Sequence, residues 1–582
     1  MLIQSVLAER FTHALASLGL ENAPVPISKS TRSEFGEYQF NGAMALAKQL
    51  KKKPRDIAQD ILDAVELGDL TEKCEIAGPG FINIHLSRDW LGKQALHALA
   101  DARLGVSLQE QQKVVVDYSS PNLAKEMHVG HLRSTIIGDA VVKALEFLGH
   151  KVIRQNHMGD WGTQFGMLLA HLSDQLDSHS NTQAHRALSD LEDFYRAAKV
   201  RFDEEEDFAD RAREYVVKLQ GGDADCLKLW ERFIDISISH SEQVYKKLNV
   251  SLTREDVMGE SAYNPDLPQL VEDLLERGIA VVDQGATLVF IPEMADKEGN
   301  PAVYIIQKSG GGFLYATTDL AAIRYRCGTL NADRTLIFTD ARQALHFKQT
   351  EIVARKAGYM PQAHQYQHCP FGMMLGKDGK PFKTRTGGTI KLCDLLDEAI
   401  ERASRLLSER ELEQNEGNAN SQIAKTVGIG AVKYADLSKN RTTDYIFDWD
   451  TMLSFEGNTA PYLQYAYTRI RSIFRKADLD MDKVTGATSI FIENDAEHAL
   501  CVKLLQFEEV LQSLASEASP HILCTYVYEL ASAFMRFYEA SPILKQGVSE
   551  ATKQSRLCLA ALSAKTIRQG LDILGIETLE HM

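Results

Sequence analysis

Two histidines, His128 and His131, stand in the string His-Val-Gly-His directly after a β-branched run at 113–119. A segment with helical spacing, 130–148, begins at the same place. In a doubly wound sheet, ligands bind beyond the carboxyl ends of the strands, where the next helix offers free N–H groups and a positive dipole end. Both imidazoles can face an anion there, and Gly130 lets a flat nucleotide approach the backbone. The pattern favours phosphate chemistry, although a surface or core position would also suit either histidine.

A glycine- and lysine-rich stretch at 372–388 is the second candidate for phosphate chemistry. Such a loop can surround a polyphosphate and offset the negative charge of a departing pyrophosphate. The alternative interpretation is a mobile, solvated loop. The chain has no Gly-x-x-x-x-Gly-Lys-Ser/Thr string, so a P-loop ATPase is not indicated. The cationic side chains of the stretch are Lys377, Lys380, Lys383 and Arg385.

The elements around the histidines predict the fold that positions them. A buried strand at 113–119, the helix at 130–148 and a second strand at 151–156 form a βαβ unit, which indicates a doubly wound parallel sheet. Residues 170–300 are highly charged and predict a largely helical insertion, in which the acidic run 203–207 is typical of a solvated face. Strand signals return at 286–291, 302–306 and 334–338.

With 582 residues, the chain is too long for one core and should form roughly three or four structural units. Helical spacing at 2–18 and 42–50, a helix restarting at Pro54 and a strand after Gly78-Pro-Gly80 indicate a small α/β unit. We therefore predict an α/β multidomain protein. It has a small N-terminal α/β domain at 1–106, a Rossmann-type domain with a doubly wound parallel sheet and a helical insertion at 107–455, and an all-α C-terminal domain at 456–582.

Composition excludes several classes of protein. Apolar stretches fall short of the roughly 20 residues that span a bilayer, and the N-terminus has no basic leader, so we expect a cytoplasmic protein without membrane contact. The 8 cysteines are scattered without a Cys-x-x-Cys pair, which disfavours zinc knuckles and disulfide frameworks. A net charge of −16 excludes a strongly basic nucleic-acid binder but allows a local basic groove.

Longer strings around these residues resemble the arginyl-tRNA synthetases, which are class I aminoacyl-tRNA synthetases. The similar strings lie in all three predicted domains, at 77–82, 116–134, 156–166, 314–320, 459–469 and 569–575. One departure concerns the Lys-Met-Ser-Lys-Ser loop of class I enzymes, which is replaced by Phe382-Lys-Thr-Arg-Thr-Gly387. Many arginyl enzymes share this variant. The cations available in place of the missing second lysine are Lys125, Lys377 and Lys380.

The resemblance implies an ATP-dependent arginine–tRNA ligase. Arginine is first activated to arginyl-adenylate with release of pyrophosphate, and is then transferred to the 3′ end of tRNA-Arg with release of AMP. Mg²⁺ should arrive with the ATP substrate rather than at a tightly bound site made of protein ligands. The implied catalytic residues are His128, Gly130, His131, Lys125, Lys383 and Arg385. The implied ATP-binding residues are His128, Gly130, His131, Lys377, Lys380 and Lys383.

The resemblance also implies where arginine binds. A planar guanidinium requires a matching carboxylate, and the corresponding position is Asp319, with Tyr315 one helical turn before it. The alternative for Asp319 is an N-cap after Thr317-Thr318. The residues implied to hold the other end of the amino acid are Ser120, Pro121, Asn122, His131, Asn156 and Gln343.

For tRNA, the helical C-terminal domain should read the anticodon. A basic stretch there includes Arg469 and is interleaved with tyrosines such as Tyr462, which can stack on bases. A tyrosine-rich helix is, however, also typical of a core. The N-terminal domain resembles the one that family members place on the tRNA elbow, and a monomer is expected. Its expected contacts are Phe35, Tyr38, Gln39 and Asn41.

Two other functions are compatible with parts of this pattern. A class I enzyme for another amino acid, such as cysteine, would share the paired histidines but would need a zinc site for the thiol, which the scattered cysteines disfavour. A regulatory or RNA-binding protein that has lost synthetase activity is the second alternative. The intact set His128, His131, Tyr315 and Asp319 argues against such a loss.

Overall fold

A computed structural model describes residues 2–30, 32–178, 191–382, 390–411, 420–484 and 489–582. The N-terminal part is an antiparallel sheet in the order β1-β2-β4-β3, covered by helices. The predicted helices at 2–18 and 42–50 are confirmed, and Pro54 occupies the first turn of a third helix. The elements are α1 (Ile3–Ser17), β1 (Ile27–Lys29), β2 (Tyr38–Phe40), α2 (Ala43–Leu50), α3 (Pro54–Ala64), β3 (Thr71–Ala77), β4 (Phe81–Leu86) and α4 (Arg88–Ala100).

The turn between β3 and β4 explains the Gly-Pro-Gly string. Gly78 has φ +51° and Gly80 has φ +132°, a left-handed region that side chains other than glycine rarely enter. A Cβ on Gly80 would also lie 2.9 Å from the backbone of Pro54. The glycines therefore serve both the hairpin turn and its packing against α3.

The middle part contains the predicted parallel sheet. Its strands lie in the order β11-β10-β5-β6, and Val114, Val115 and Val116 at its centre have no exposed surface. The strands of this part are β5 (Lys113–Asp117), β6 (Lys151–Gln155), β7 (Val281–Asp283), β8 (Ala286–Ile291), β9 (Ala302–Gln307), β10 (Arg334–Ile337), β11 (Gln365–His368), β12 (Met374–Leu375) and β13 (Tyr445–Ile446). The continuous β-branched run thus marks a strand that is covered on both faces.

Helices cover this sheet and form most of the insertion. They are α5 (Leu132–Phe147), α6 (Thr163–Ser178), α7 (Leu191–Glu204), α8 (Glu206–Gln220), α9 (Ala224–Lys247), α10 (Leu267–Glu276), α11 (Tyr315–Arg324), α12 (Ala344–Lys356), α13 (Leu392–Glu411), α14 (Asn420–Leu437) and α15 (Trp449–Met452). The expectation of a largely helical insertion is confirmed as far as α10, and the acidic run 203–207 is exposed. The end of the insertion forms an antiparallel sheet of β7, β8 and β9, which confirms the strands predicted at 286–291 and 302–306.

The C-terminal part is helical in every regular element that is described between 456 and 582. Its α-helices are α16 (Ala460–Lys476), α17 (Asp495–Leu505), α18 (Phe507–Glu517), α19 (His521–Ala540) and α20 (Glu550–Ile573). None of the helices in the described parts of the chain combines the length and apolar character that a membrane span requires.

One of the contacts between the N-terminal and C-terminal parts is centred on the carboxylate of Glu509. Glu509 on α18 accepts hydrogen bonds from the backbone N–H of Gln4 (3.2 Å) and the hydroxyl of Tyr38 (2.8 Å). The Nζ atom of Lys29 lies 3.0 Å from its other carboxylate oxygen. Tyr38 therefore has no exposed surface, and the expectation that it contacts tRNA is wrong, because its ring and hydroxyl are buried at this junction.

Candidate active site

The turn that follows β5 has an unusual backbone. Ser119 and Ser120 have φ of 70° and 46°, the left-handed region that costs a non-glycine residue about 1–3 kcal/mol. Hydrogen bonds hold it there. The N–H of Ser119 donates to Ser134 Oγ (2.9 Å) and the N–H of Ser120 donates to Asn156 Oδ1 (3.0 Å). Conformations of this kind persist where the surrounding structure fixes them, most often at functional sites.

Ser120 and Asn156, two of the residues predicted to hold arginine, are brought together by this turn. Ser120 Oγ donates to Asp117 Oδ1 (2.8 Å) and accepts from the N–H of His157 (3.1 Å). Asn156 Nδ2 donates to the hydroxyl of Tyr245 (2.9 Å), which also contacts Ser119 Oγ (2.8 Å). Tyr245 on α9 thereby orients the amide group of Asn156.

Pro121 and Asn122 take different positions beside this pair. Pro121 is buried, whereas Asn122 is exposed and its Oδ1 accepts the N–H of Ala124 (2.9 Å). A hydrogen bond from a side chain to the backbone two residues on fixes a local turn. The geometry therefore accounts for Asn122 as a turn residue and leaves its contact with arginine a prediction.

The paired histidines lie at the start of α5, as predicted. Their ring centroids are 4.0 Å apart. His128 Nδ1 accepts the N–H of Gly130 (3.0 Å), and His131 Nδ1 accepts the N–H of His128 (3.1 Å). In the neutral rings the proton is consequently on Nε2, which leaves Nε2 as the donor atom of both side chains.

Burial keeps both imidazoles uncharged. It lowers the pKa of His128, and burial together with the neighbouring His128 lowers the pKa of His131 to about 3. A Cβ on Gly130 would lie 2.7 Å from Cε1 of the His128 ring, so this position needs glycine for packing as well as for nucleotide approach. The turn thus offers neutral donors at a helix N-terminus, an arrangement that suits an anion.

A cavity of about 390 Å³ is lined in part by His128. Its lining combines polar groups near the start of α5 and around position 340 with apolar side chains at 371–382. They include His128, Gly130, Asp340, Phe371, Met374 and Phe382. Predominantly apolar walls with a few placed polar groups are typical of a site for a flat ring.

The cations predicted to face phosphate occupy separate places. Lys125 is exposed, and its Nζ lies 4.2 Å from the ring centroid of Tyr195 on α7. Lys377 Nζ lies 2.8 Å from an oxygen of Asp448, and Lys380 is exposed. Lys383 and Arg385 lie outside the described residues. No group of three or more candidate metal ligands is found among the described residues.

Asp319 lies in the first half of α11, four residues after Tyr315. The N-cap of this helix is Leu314, so the alternative interpretation of Asp319 as an N-cap is wrong. Asp319 Oδ2 is 2.6 Å from His346 Nε2, and Oδ1 is 3.6 Å from His157 Nε2. Tyr315 is exposed and its ring meets the His346 ring edge-on at 4.9 Å. Gln343 is exposed at the N-cap of α12, three residues before His346.

Glu260 is an acidic neighbour of Asp319 that the sequence did not single out. Burial, followed by the charges of Asp319 and Asp160, raises the pKa of Glu260 to about 8. A cation bound beside Glu260 and Asp319 would favour the charged form of Glu260. Glu260 stands in a highly charged insertion, where one more acidic residue gives no signal. His157 belongs to the string 156–166, whose resemblance to the family was the available signal.

Three family profiles match consecutive parts of the chain. The profile for the N-terminal domain of arginyl-tRNA synthetases matches residues 5–86, and that for the catalytic domain of class I tRNA synthetases (R) matches 94–449. The profile for the DALR anticodon-binding domain matches 463–582. The catalytic-domain match alone covers more than half of the 582 residues.

The chain belongs to the arginyl-tRNA synthetases. These enzymes are ATP-dependent class I arginine–tRNA ligases. The chain is similar to the arginine–tRNA ligase of Alteromonas mediterranea, with 69% identity over 100% of both chains. The arginine–tRNA ligase of Colwellia psychrerythraea is 61% identical, again over 100% of both chains. The fold resembles the crystal structure of arginyl-tRNA synthetase from Plasmodium falciparum with a TM-score of 0.85, 28% identity and coverage of 100% and 99% of the two chains.

In this arginyl-tRNA synthetase, the tRNA contacts predicted in the C-terminal domain lie on α16. On α16, Tyr462 is half-buried against Tyr528 (5.7 Å between centroids) and Tyr467 is buried. Arg469 is exposed, with its guanidinium carbon 5.5 Å from the Tyr538 ring centroid. Arg471 is held by Glu580 (2.6 Å). The tyrosine stretch is therefore partly core and partly surface, and Arg469 is on the surface.

The remaining N-terminal contacts predicted for this arginyl-tRNA synthetase are half-buried. Gln39 Nε2 donates to Asn83 Oδ1 (2.7 Å), and Asn41 Nδ2 donates to Ser28 Oγ (3.1 Å). Phe35 lies in a short 3₁₀ turn before β2. These three positions stay predictions, whereas Tyr38 does not, because it is buried.

Proposed function

We propose that this arginine–tRNA ligase binds its amino acid between two sets of groups in one cleft. Asp319 and Glu260, with Tyr315 at the entrance, take the guanidinium. Ser120 and Asn156 take the α-amino and carboxylate end, and Pro121, Asn122, His131 and Gln343 complete that end as the family resemblance implies. The observation that carries this assignment is the position of Asp319, whose Oδ1 lies 3.6 Å from Nε2 of His157, the residue whose backbone N–H donates to Ser120 Oγ (3.1 Å).

The first chemical step needs no side-chain nucleophile. A carboxylate oxygen of arginine attacks the α-phosphorus of ATP. A bond forms between that oxygen and the α-phosphorus, and the bond from the α-phosphorus to the pyrophosphate oxygen breaks. Because the nucleophile is already charged, the protein contributes alignment and stabilisation of the charge that moves to the leaving group. His128 and His131 do this as neutral Nε2–H donors. Their neutrality means that they add no net charge that would bind the ground state strongly.

Positive charge for pyrophosphate departure comes from cations around this donor pair. Lys383 and Arg385 stand in the place of the class I signature loop, and Lys125 stands three residues before His128. Lys125 contacts Tyr195 through a cation–π interaction, which is weak at an exposed site, so its ammonium is available to a phosphate. Lys377 and Lys380 are the other candidates. Mg²⁺ enters as part of the MgATP substrate.

The second step transfers the arginyl group to the terminal ribose of tRNA-Arg and releases AMP. We assign the segments 1–106, 107–455 and 456–582 to the tRNA elbow, to catalysis and to the anticodon. Arg469, Tyr462, Phe35, Gln39 and Asn41 are the proposed contacts. We also propose that the enzyme acts in the cytoplasm as a monomer.

Pyrophosphate exchange is the experiment that tests the activity. Exchange of labelled pyrophosphate into ATP is measured with and without tRNA-Arg. We expect exchange to require arginine and not to occur with cysteine. An inactive regulatory descendant would show no exchange under any of these conditions. Asp319→Asn should abolish arginine-dependent exchange while ATP still binds. An unchanged arginine KM would refute the site assignment.

A further inference from the structure

A buried guanidinium connects the two ends of the proposed arginine site. Arg326 is only 2% exposed. Its Nη2 donates to Asp117 Oδ2 (2.6 Å) and its Nε donates to Gln155 Oε1 (2.6 Å). Asp117 and Gln155 are the last residues of β5 and β6 and lie opposite each other in the sheet register. A single side chain therefore holds together two neighbouring strand ends.

Both strand ends carry the groups assigned to the α-amino and carboxylate end of arginine. The other oxygen of Asp117 accepts Ser120 Oγ (2.8 Å), and Gln155 directly precedes Asn156. Asp117 therefore connects Arg326 to Ser120 through two hydrogen bonds, and Gln155 connects Arg326 to the next residue, Asn156. It does not itself line the cleft in which the amino acid is proposed to bind.

The same arginine belongs to the element that carries Asp319. Helix α11 continues without a break into a wide π-type turn, Tyr325–Thr329, which contains Arg326. Seven residues are close to two helical turns, so Asp319 and Arg326 lie on one face, about 10 Å apart along the axis. A helix changes its length very little, and it therefore acts as a spacer between the anchored Arg326 and Asp319.

Among the described residues, the shorter connections fix that spacing less firmly. The N–H of His157 donates to Ser120 Oγ, but the ring Nε2 of His157 is 3.6 Å from Asp319, beyond hydrogen-bond distance. His346 orients the Asp319 carboxylate from α12 and has no bond to the strand ends. A buried ion pair, moreover, often adds little net stability compared with apolar side chains of equal volume.

We propose that Arg326 is a positioning residue that sets the distance between the two ends of the arginine pocket, and so makes the enzyme discriminate amino acids by side-chain length. The inference rests on the proposed assignment of Asp319, Ser120 and Asn156 to arginine. Loss of one Arg326 bond should let α11 shift against β5 and β6. The pocket should then accept a guanidinium that stands one methylene farther from the α-carbon.

The test compares arginine with homoarginine, which is one methylene longer. Arg326→Lys keeps a buried positive charge but cannot span Asp117 and Gln155 together. We expect the arginine KM to rise at least tenfold, the ATP KM to stay within twofold, and the ratio of kcat/KM for arginine over homoarginine to fall at least fivefold. Arg334→Lys is the matched control, because Arg334 is buried in the same sheet but donates to Ala515, Ser516 and Gln367 on its far side.

A purely structural role would give another result. Arg326→Lys would then lower the melting temperature or raise both KM values together, with the arginine-to-homoarginine ratio unchanged, and the proposal would be wrong. If this variant does not fold, Gln155→Met decides. It removes one of the two bonds and should lower the ratio at least twofold, and an unchanged ratio again overturns the inference. Asp319→Asn run in parallel separates the two proposals, since normal arginine binding in that variant would refute the site itself.

Discussion

At the phosphate end of the cleft, His128 and His131 are neutral rings that offer one donor each. At the proposed arginine end, burial and the charges of Asp319 and Asp160 raise the pKa of Glu260. The neutral donors of the first arrangement interact most strongly when negative charge develops on the leaving group, and so they stabilise the transition state. The acidic groups of the second arrangement attract a guanidinium that is already charged, and so they select arginine among amino acids. We infer that the proposed site separates turnover from specificity, with the groups for each at opposite ends.

The sharpest way to break this contrast is to remove charge at the arginine end. In Asp319→Asn the guanidinium loses a buried partner, which costs about 3–5 kcal/mol. We expect kcat/KM for arginine to fall more than about a hundredfold, while ATP binding stays nearly intact. Asp283→Asn, an exposed acid on β7, is the control. An arginine KM within twofold of wild type would contradict the assignment.

At the phosphate end the effect should appear in turnover rather than binding. His131→Ala removes one placed donor, and losses of this kind lower kcat on the order of a hundredfold. His131→Gln can present an amide N–H near the position of Nε2 and should retain more activity. Steady-state kinetics with both substrates distinguishes the outcomes. A rise in KM with kcat preserved would show that His131 only binds substrate.

The cations around the donor pair should have intermediate effects. Lys125→Ala and Lys383→Ala should each slow adenylate formation at least about tenfold, roughly 1.4 kcal/mol of barrier. Their double variant should fall short of the product of both effects, because they act on the same developing charge. Single-turnover measurements provide the rate, with Lys297→Ala in an exposed loop as control. A wild-type rate in Lys125→Ala would identify Lys125 as a solvated loop residue.

The smallest expected effect concerns protons. The pKa of Glu260 is raised to about 8 by burial and by Asp319 and Asp160, so the empty site is mostly protonated there at pH 7. A bound guanidinium favours the carboxylate, and arginine binding should therefore release a proton. Affinity should then rise about fivefold between pH 7 and 8 and level off above. Calorimetry in buffers of different ionisation heat measures the release.

Glu260→Gln provides the matching variant for this linkage. It keeps the shape of the side chain but cannot ionise, so the pH dependence of arginine affinity should flatten. The same variant still contains Asp319 and should bind arginine, although more weakly. A steep pH dependence that survives in Glu260→Gln would show that another group releases the proton.

Local sequence patterns predicted those parts of the molecule whose contacts are local. The β-branched run of β5, the helical period of α5 and the start of α3 at Pro54 follow from propensity and position. The strands β1 and β2 have only three residues each, too few for a period to show. Their pairing is decided by the sheet they join.

The burial of polar residues could not be predicted in the same way. Tyr38 stands between Glu37 and Gln39 and reads as an exposed aromatic, yet it is buried by Glu509, 471 positions away. Arg326 is buried although it is charged, and its partner Asp117 is 209 positions away. Glu260 acquires its character from Asp319 and Asp160. Such partners meet only after folding, so no local period records them.

The junction at Glu509 has a consequence for how sequences in this family can drift. Gln4 contributes only a backbone N–H, which every residue except proline supplies, and the half-exposed Lys29 can be lost at small cost. Tyr38 is harder to replace because it is buried. Replacing Glu509 would leave all three donors without their acceptor at once. Variation should therefore accumulate at positions 4 and 29 long before it reaches 509, and the acceptor becomes the slowest-changing member of the group.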